Sequence, residues 1–263
     1  MTFVYFLFLL HLAIGVLATL PFTMEKAGRS YFKFASASAA FMMTAGLGLL
    51  LRRYGWDGPV PEIEYRGLVA ATIVCLAATS LYNRAHHFGW RWLRAPMLAF
   101  ALAGGGAALW FGAPAPARPL VAGVDVSSAL LLGSAAAAMT LGHYYLVIID
   151  LPIGALRTLT VMLIGTLAIR AVFVGLLVAG PVHAGYAEAH RVAIGLWSPD
   201  GIFVWMRILF GLVGPFSLTY FIWKTVEIRS TQSATGILYV QLFLVLAGEL
   251  LAKYLRVAAG LPL

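Results

Sequence analysis

Apolar positions along this chain fall into eight blocks of helical length, separated by short clusters of glycine, proline and charged residues. A bilayer crossing takes about 20 mostly apolar residues in a helix. The pattern predicts crossings over roughly Thr2–Leu20, Phe32–Leu51, Gly67–Tyr82, Leu93–Phe111, Val126–Ile149, Ala155–Ala179, Ile202–Trp223 and Ala234–Leu255. The third block is the shortest. Asp57-Gly58-Pro59 and Pro61 break the chain after the second block, and Pro114, Pro116 and Pro119 after the fourth. Pro181 and Pro199 bracket the longest connection. No soluble domain fits between the blocks. A helix satisfies its backbone hydrogen bonds within one lipid-exposed segment. The expected fold class is therefore an all-α integral membrane protein with eight transmembrane helices, residues 1–263 forming a single polytopic membrane domain. The first block has no basic residue ahead of it and no clear small-residue cleavage site behind it, so it reads as a retained helix.

Composition narrows the function classes. The chain is 62% hydrophobic and 11% charged, with a mean hydropathy of +0.91. Soluble domains run at about 45–50% apolar and about 25% charged. A water-soluble globule, a disordered chain and a nucleic-acid module are excluded, and no nucleic-acid partner is expected. The net charge of +8 then reads as basic loops at a membrane face. With the N-terminus outside, inner connections hold Lys26, Arg29, Lys33, Arg84, Arg91, Arg94, Arg157, Lys224 and Arg229. Outer segments hold Arg52, Arg53, Arg66, Arg118, Arg191, Lys253 and Arg256. The excess favours both termini outside. Cys75 stands alone in an apolar run, so the chain can make no internal disulfide or thiolate metal cluster.

The two halves, residues 1–112 and 126–263, read as a four-helix unit used twice. His11 precedes Leu20-Pro21 in the first helix, and His143 precedes Leu151-Pro152 in the fifth. Leu102-Ala103-Gly104 in the fourth helix matches Leu246-Ala247-Gly248 in the eighth. Such a repeat would be parallel, and no helix shows a clear break at mid-depth.

Ionisable groups inside a bilayer are costly and usually face a protein interior or a function. His11, His143, Asp150, Arg170, Arg207 and Glu249 stand out, while Lys253 lies near an end and can snorkel. Helical rise puts His11 about 15 Å and His143 about 12 Å from the inner exit, at one level. Two neutral imidazoles on neighbouring helices suit the axial positions of a b-type haem, its iron held by His11 and His143. A histidine accepting a proton from a quinol is an equal alternative, and hydrogen bonding across a helix interface is the plainest one. Thr140, His143, Tyr144 and Asp150 form a stripe on the fifth helix, from which Tyr144 can donate to a quinone carbonyl; Asp150 can equally be interfacial. Gln241, Glu249 and Lys253 share a face of the eighth helix. Arg170, Arg207 and Glu249 fall about 10–15 Å from the outer surface. They read either as a buried ion-pair network or as a proton-handling site. His86 and His87 lie with Arg84, Trp90 and Trp92 in what looks like an interfacial belt. His183 and His190, with Glu188 between them, are expected to be solvated or to contact a metal or partner. Phosphate-loop, nucleophile-elbow and zinc-protease motifs are missing, and Gly104-Gly105-Gly106 reads as close helix packing.

Eight helices, a four-plus-four build and the last-helix stretch Leu246-Ala247-Gly248-Glu249-Leu250-Leu251-Ala252-Lys253 resemble the NrfD/DmsC-type membrane anchors of respiratory molybdo- and iron–sulfur oxidoreductases. That stretch is similar to the terminal-helix pattern L-A-G-E-L-(I/L)-x-(R/K) of DmsC-like subunits. His11 is similar to a first-helix quinone-site position in some members. The resemblance implies a subunit that exchanges electrons and protons with the quinone pool, menaquinone or ubiquinone. It implies anchoring of peripheral iron–sulfur or cytochrome subunits, on the outer face of a bacterial cytoplasmic (inner) membrane. Members typically carry no haem, so a haem at His11 and His143 would mark a diverged or unrelated cytochrome b. On this reading His11, His143 and Tyr144 hydrogen-bond the quinone headgroup, and Arg170, Arg207 and Glu249 handle protons. The alternative is a small-solute or ion transporter with buried charges lining its path.

Overall fold

The computed structural model describes residues 1–23, 27–56, 58, 63–148, 151, 153–179 and 201–260. Among them there is no strand, and eight helical segments are long and apolar enough to cross a membrane. The helices are α1 (Thr2–Thr19), α2 (Gly28–Tyr54), α3 (Tyr65–Phe88), α4 (Arg91–Phe111), α5 (Arg118–Val147) and α6 (Gly154–Ala179). The seventh crossing comprises α7 (Gly201–Ile208), a π-helical stretch Leu209–Val213 and α8 (Gly214–Glu227). The eighth is α9 (Thr231–Ala259).

Helix ends follow local chemistry. α2 stops at Gly55, whose φ of 58° a side chain would resist and whose N–H caps Leu51 O at 2.8 Å. α3 runs past the expected Tyr82 because nothing breaks it before Gly89, at φ 78°. α5 begins well before the expected Val126. Pro119, read as a break, sits in the first turn, where its missing N–H costs nothing.

The seventh crossing departs from expectation, since no mid-depth break was foreseen. Pro215 has no N–H to return to the carbonyl four residues back, and Gly211 and Gly214 flank the gap. The chain takes one wide turn over Leu209–Val213 and then resumes as α8.

Two compact units divide the chain, Thr2–Gly133 and Ser134–Leu263, with the boundary inside α5 rather than between the fourth and fifth crossings. In the first unit α1 packs on α2, α2 on α3, α3 on α4, and α4 closes back on α1. The start of α5 adds to this ring through Gly15 and Gly133, where a Cβ on either glycine would strike the facing backbone. In the second unit α6 packs on α8, and α7, the π stretch and α8 pack on α9. α5 joins α6 through Ser134 Oγ and Thr166 Oγ1, 2.9 Å apart, and joins α9 through Thr235 Oγ1, which donates to Gly142 O at 2.9 Å. The two glycines paired in the sequence play one role. A Cβ on Gly104 would lie 3.0 Å from the Cys75 backbone of α3, and one on Gly248 would collide with Gly211.

Burial is inverted relative to a water-soluble protein. Phe41, Phe100, Val172 and Phe243 are exposed, while Arg170, Arg207 and Glu249 are fully buried. Apolar exterior against lipid and charge against charge inside is what a bilayer selects.

Candidate functional site

The face of α9 foreseen from the sequence carries its polar side chains into the second unit. Glu249 is held by three cations. Arg170 donates from Nε to Oε1 at 2.9 Å and from Nη2 to Oε2 at 3.0 Å, a two-pronged clamp. Arg207 Nη2 donates to Oε1 at 2.8 Å. Lys253 Nζ lies 4.0 Å from Oε2. Lys253 was expected to snorkel; instead it is buried, because α9 continues to Ala259 and Glu249 lies one turn away. Two turns before Glu249, Gln241 Nε2 donates to Thr219 Oγ1 on α8 at 3.1 Å.

Small residues build this geometry. Arg207 lies four residues before Gly211, and its guanidinium folds over that glycine so closely that a Cβ there would meet Nη1. Gly248 faces Gly211 across the interface, so the two backbones approach and the short path from Arg207 to Glu249 opens. Among the described residues, Arg207 Nε and Nη1 have no hydrogen-bond acceptor. The structure therefore brings Arg170, Arg207 and Glu249 together, with Lys253 one turn along α9.

A second buried set lies in the first unit. His11 on α1 is fully buried, with Nδ1 3.4 Å from Ser128 Oγ and Nε2 3.8 Å from Asp125 Oδ1. Asp125 is 1% exposed. Sequence reasoning missed it, because it stood just outside a block taken to start at Val126. The signal was Pro119: read as a helix start, it places Asp125 nearly two turns inside α5.

His143 belongs to the second unit, exposed on α5, with Nδ1 3.0 Å from the Tyr239 hydroxyl. Tyr144 is partly buried beside it. His11 and His143 thus have separate polar partners. Asp150, His183, Glu188 and His190 lie outside the described residues. Among the described residues no group of three or more His, Cys, Asp or Glu side chains is arranged to hold a metal ion.

No family model, curated protein or solved structure matches the chain.

Proposed function

We propose that this chain is an integral membrane subunit of a respiratory complex that exchanges electrons and protons with the quinone pool, with His11 as the group that takes and returns the proton. The observation that carries this reading is the buried His11–Asp125 pair. Oxidising a quinol releases two electrons and two protons, so a site in lipid needs a base beside the hydroxyl. An imidazole with a carboxylate 3.8 Å from one ring nitrogen supplies both the base and the charge that steadies its protonated form. Ser128 at the other nitrogen orients the ring. The electrons would pass to a peripheral iron–sulfur or cytochrome subunit. The Arg170–Glu249–Arg207 cluster fits proton handling in the second unit, and the pattern over Leu246–Lys253 that supplies Glu249 supports the resemblance to DmsC-like anchors. Location in a bacterial cytoplasmic membrane with both termini outside belongs to the same proposal.

His11 Nδ1 lies within hydrogen-bond distance of Ser128 Oγ on α5, and Nε2 faces the Asp125 carboxylate at ion-pair separation. The test is binding of a quinol analogue to the purified protein, with a visible spectrum recorded alongside. His11→Gln and Asp125→Asn should each weaken binding by on the order of tenfold or more, the worth of one charge-assisted hydrogen bond. Unchanged binding in both would count against the site. A reduced-minus-oxidised b-type band lost in His11→Ala and in His143→Ala would replace it with haem. A second reading, a solute or ion transporter, is favoured by the π-helical stretch Leu209–Val213 beside Arg207. Solute uptake by proteoliposomes without a redox partner would establish that reading instead.

A further inference from the structure

At one end of the first unit, the start of α2, the end of α3 and the start of α4 bring basic groups together. His86, in the last turn of α3, is 5% exposed. Its ring stacks on Phe32 of α2, centroids 5.2 Å apart and planes within 6°, and meets the edge of Tyr82 at 4.7 Å. Among the described residues neither ring nitrogen has a hydrogen-bond partner. A neutral imidazole always carries one N–H donor and one acceptor, so burial with both unmade is costly.

Arg94, in the first turn of α4, repeats the problem. Its Nε and Nη2 are buried and have no acceptor among the described residues. These two nitrogens form the same edge with which Arg170 clamps Glu249. The edge fits two oxygens of one anion. Arg94, Lys33 and Arg29 all act electrostatically on His86, and no carboxylate among the described residues does. Asn83 fixes the frame: its Nδ2 donates to Lys33 O and to Ser36 Oγ, each at 2.8 Å, pinning α3 to α2. The α4 N-terminus adds partial positive charge, since Trp90 before it makes no side-chain cap.

The surroundings identify the anion's source. Phe88, Trp90 and Trp92 are exposed immediately beside this end, as aromatic side chains are at a membrane–water interface. Basic pockets between transmembrane helices at that depth suit acidic lipid headgroups. We infer that the His86–Arg94 cluster, with Lys33 beside it, is a binding site for the phosphate of an anionic phospholipid. The phosphate oxygens take the Arg94 edge and the His86 N–H, and the acyl chains run along the lipid-facing side of α3 and α4. This site is independent of the quinone reading.

The experiment measures lipid retained by the full-length protein after purification from phosphatidylglycerol-containing membranes into neutral detergent, by native mass spectrometry. Wild type should hold phosphatidylglycerol and not phosphatidylcholine. Arg94→Gln and His86→Phe, the latter keeping the stack on Phe32, should each lose on the order of tenfold in retention. Arg94→Lys should recover little, since an ammonium lacks the two-pronged edge. Thermal unfolding of each variant in phosphatidylcholine nanodiscs shows that the fold is kept. Equal retention in Arg94→Gln overturns the assignment. So does displacement of the lipid by inorganic phosphate alone, which would mark a free-anion site. No retention in wild type means that water satisfies His86.

Discussion

Glu249→Gln tests the physical logic of the second unit most directly. The substitution keeps the side-chain volume and one acceptor oxygen but removes the carboxylate charge held against Arg170, Arg207 and Lys253. Two mechanisms give different sizes. If the contacts behave as ordinary interhelical hydrogen bonds, each is worth about 0.6 kcal/mol in a membrane. The three bonds to Glu249 from the two arginines would then total about 2 kcal/mol at most. If charge dominates, the loss takes the Glu249 counter-charge from two guanidinium groups at zero exposure, and breaking a buried pair from one side costs about 3–5 kcal/mol. The structure supports the second figure, because Arg207 already has two nitrogens without acceptors among the described residues. The assay is thermal or detergent-driven unfolding in mixed micelles. A loss of that size corresponds to a midpoint about 6–20 °C lower. Adding Arg170→Met to Glu249→Gln removes one stranded charge and should restore part of the loss. A Glu249→Gln protein within about 1 kcal/mol of wild type would refute the reasoning. So would a double variant less stable than the sum of the singles. Either result would mean that Glu249 does not balance these cations.

Arg170→Gln should destabilise more than Arg207→Gln in the same assay, since Arg170 makes two bonds to Glu249 and Arg207 one. Gly248→Ala should cost about 1–3 kcal/mol by forcing α9 away from Gly211, whereas Gly106→Ala, with nothing within 4 Å, should be neutral or slightly stabilising in parallel melts. Glu64→Gln breaks the half-exposed 2.6 Å pair with Arg118 and should cost less than about 1 kcal/mol, a difference that disappears in high salt. Tyr239→Phe removes the exposed contact to His143 and should shift stability by less than about 0.5 kcal/mol, so any larger effect on quinol binding would point to a role for His143 in function.

Much of the site was legible for one reason. Arg170, Arg207 and Glu249 sit in apolar surroundings where a charge is conspicuous, and their depths could be counted from the helix ends. Asp125 was not conspicuous, because seven residues of helix precede it that composition alone assigned to a loop. Lys253 was misplaced for a related reason: its distance from the water depends on where α9 stops and on what Glu249 attracts. The π-helical stretch left a trace in Gly211, Gly214 and Pro215. Those residues equally permit a kink, so the wide turn needed the packing of α7 and α8 on α9 to select it.

The chain's order of residues by itself determined the number of crossings, the all-helical class and which side chains must escape lipid. Each of these follows from transfer free energy summed over a local window, a property that neighbours far along the chain do not alter. Only the tertiary structure decided which buried groups meet. His11 met Asp125 rather than a position on its own helix, and Glu249 met two arginines from two other crossings. Those meetings depend on helix rotation and on how closely two backbones approach at Gly15 and Gly133 or at Gly211 and Gly248. A glycine permits contact, but only the opposing helix, placed by every other contact in its unit, determines what it touches.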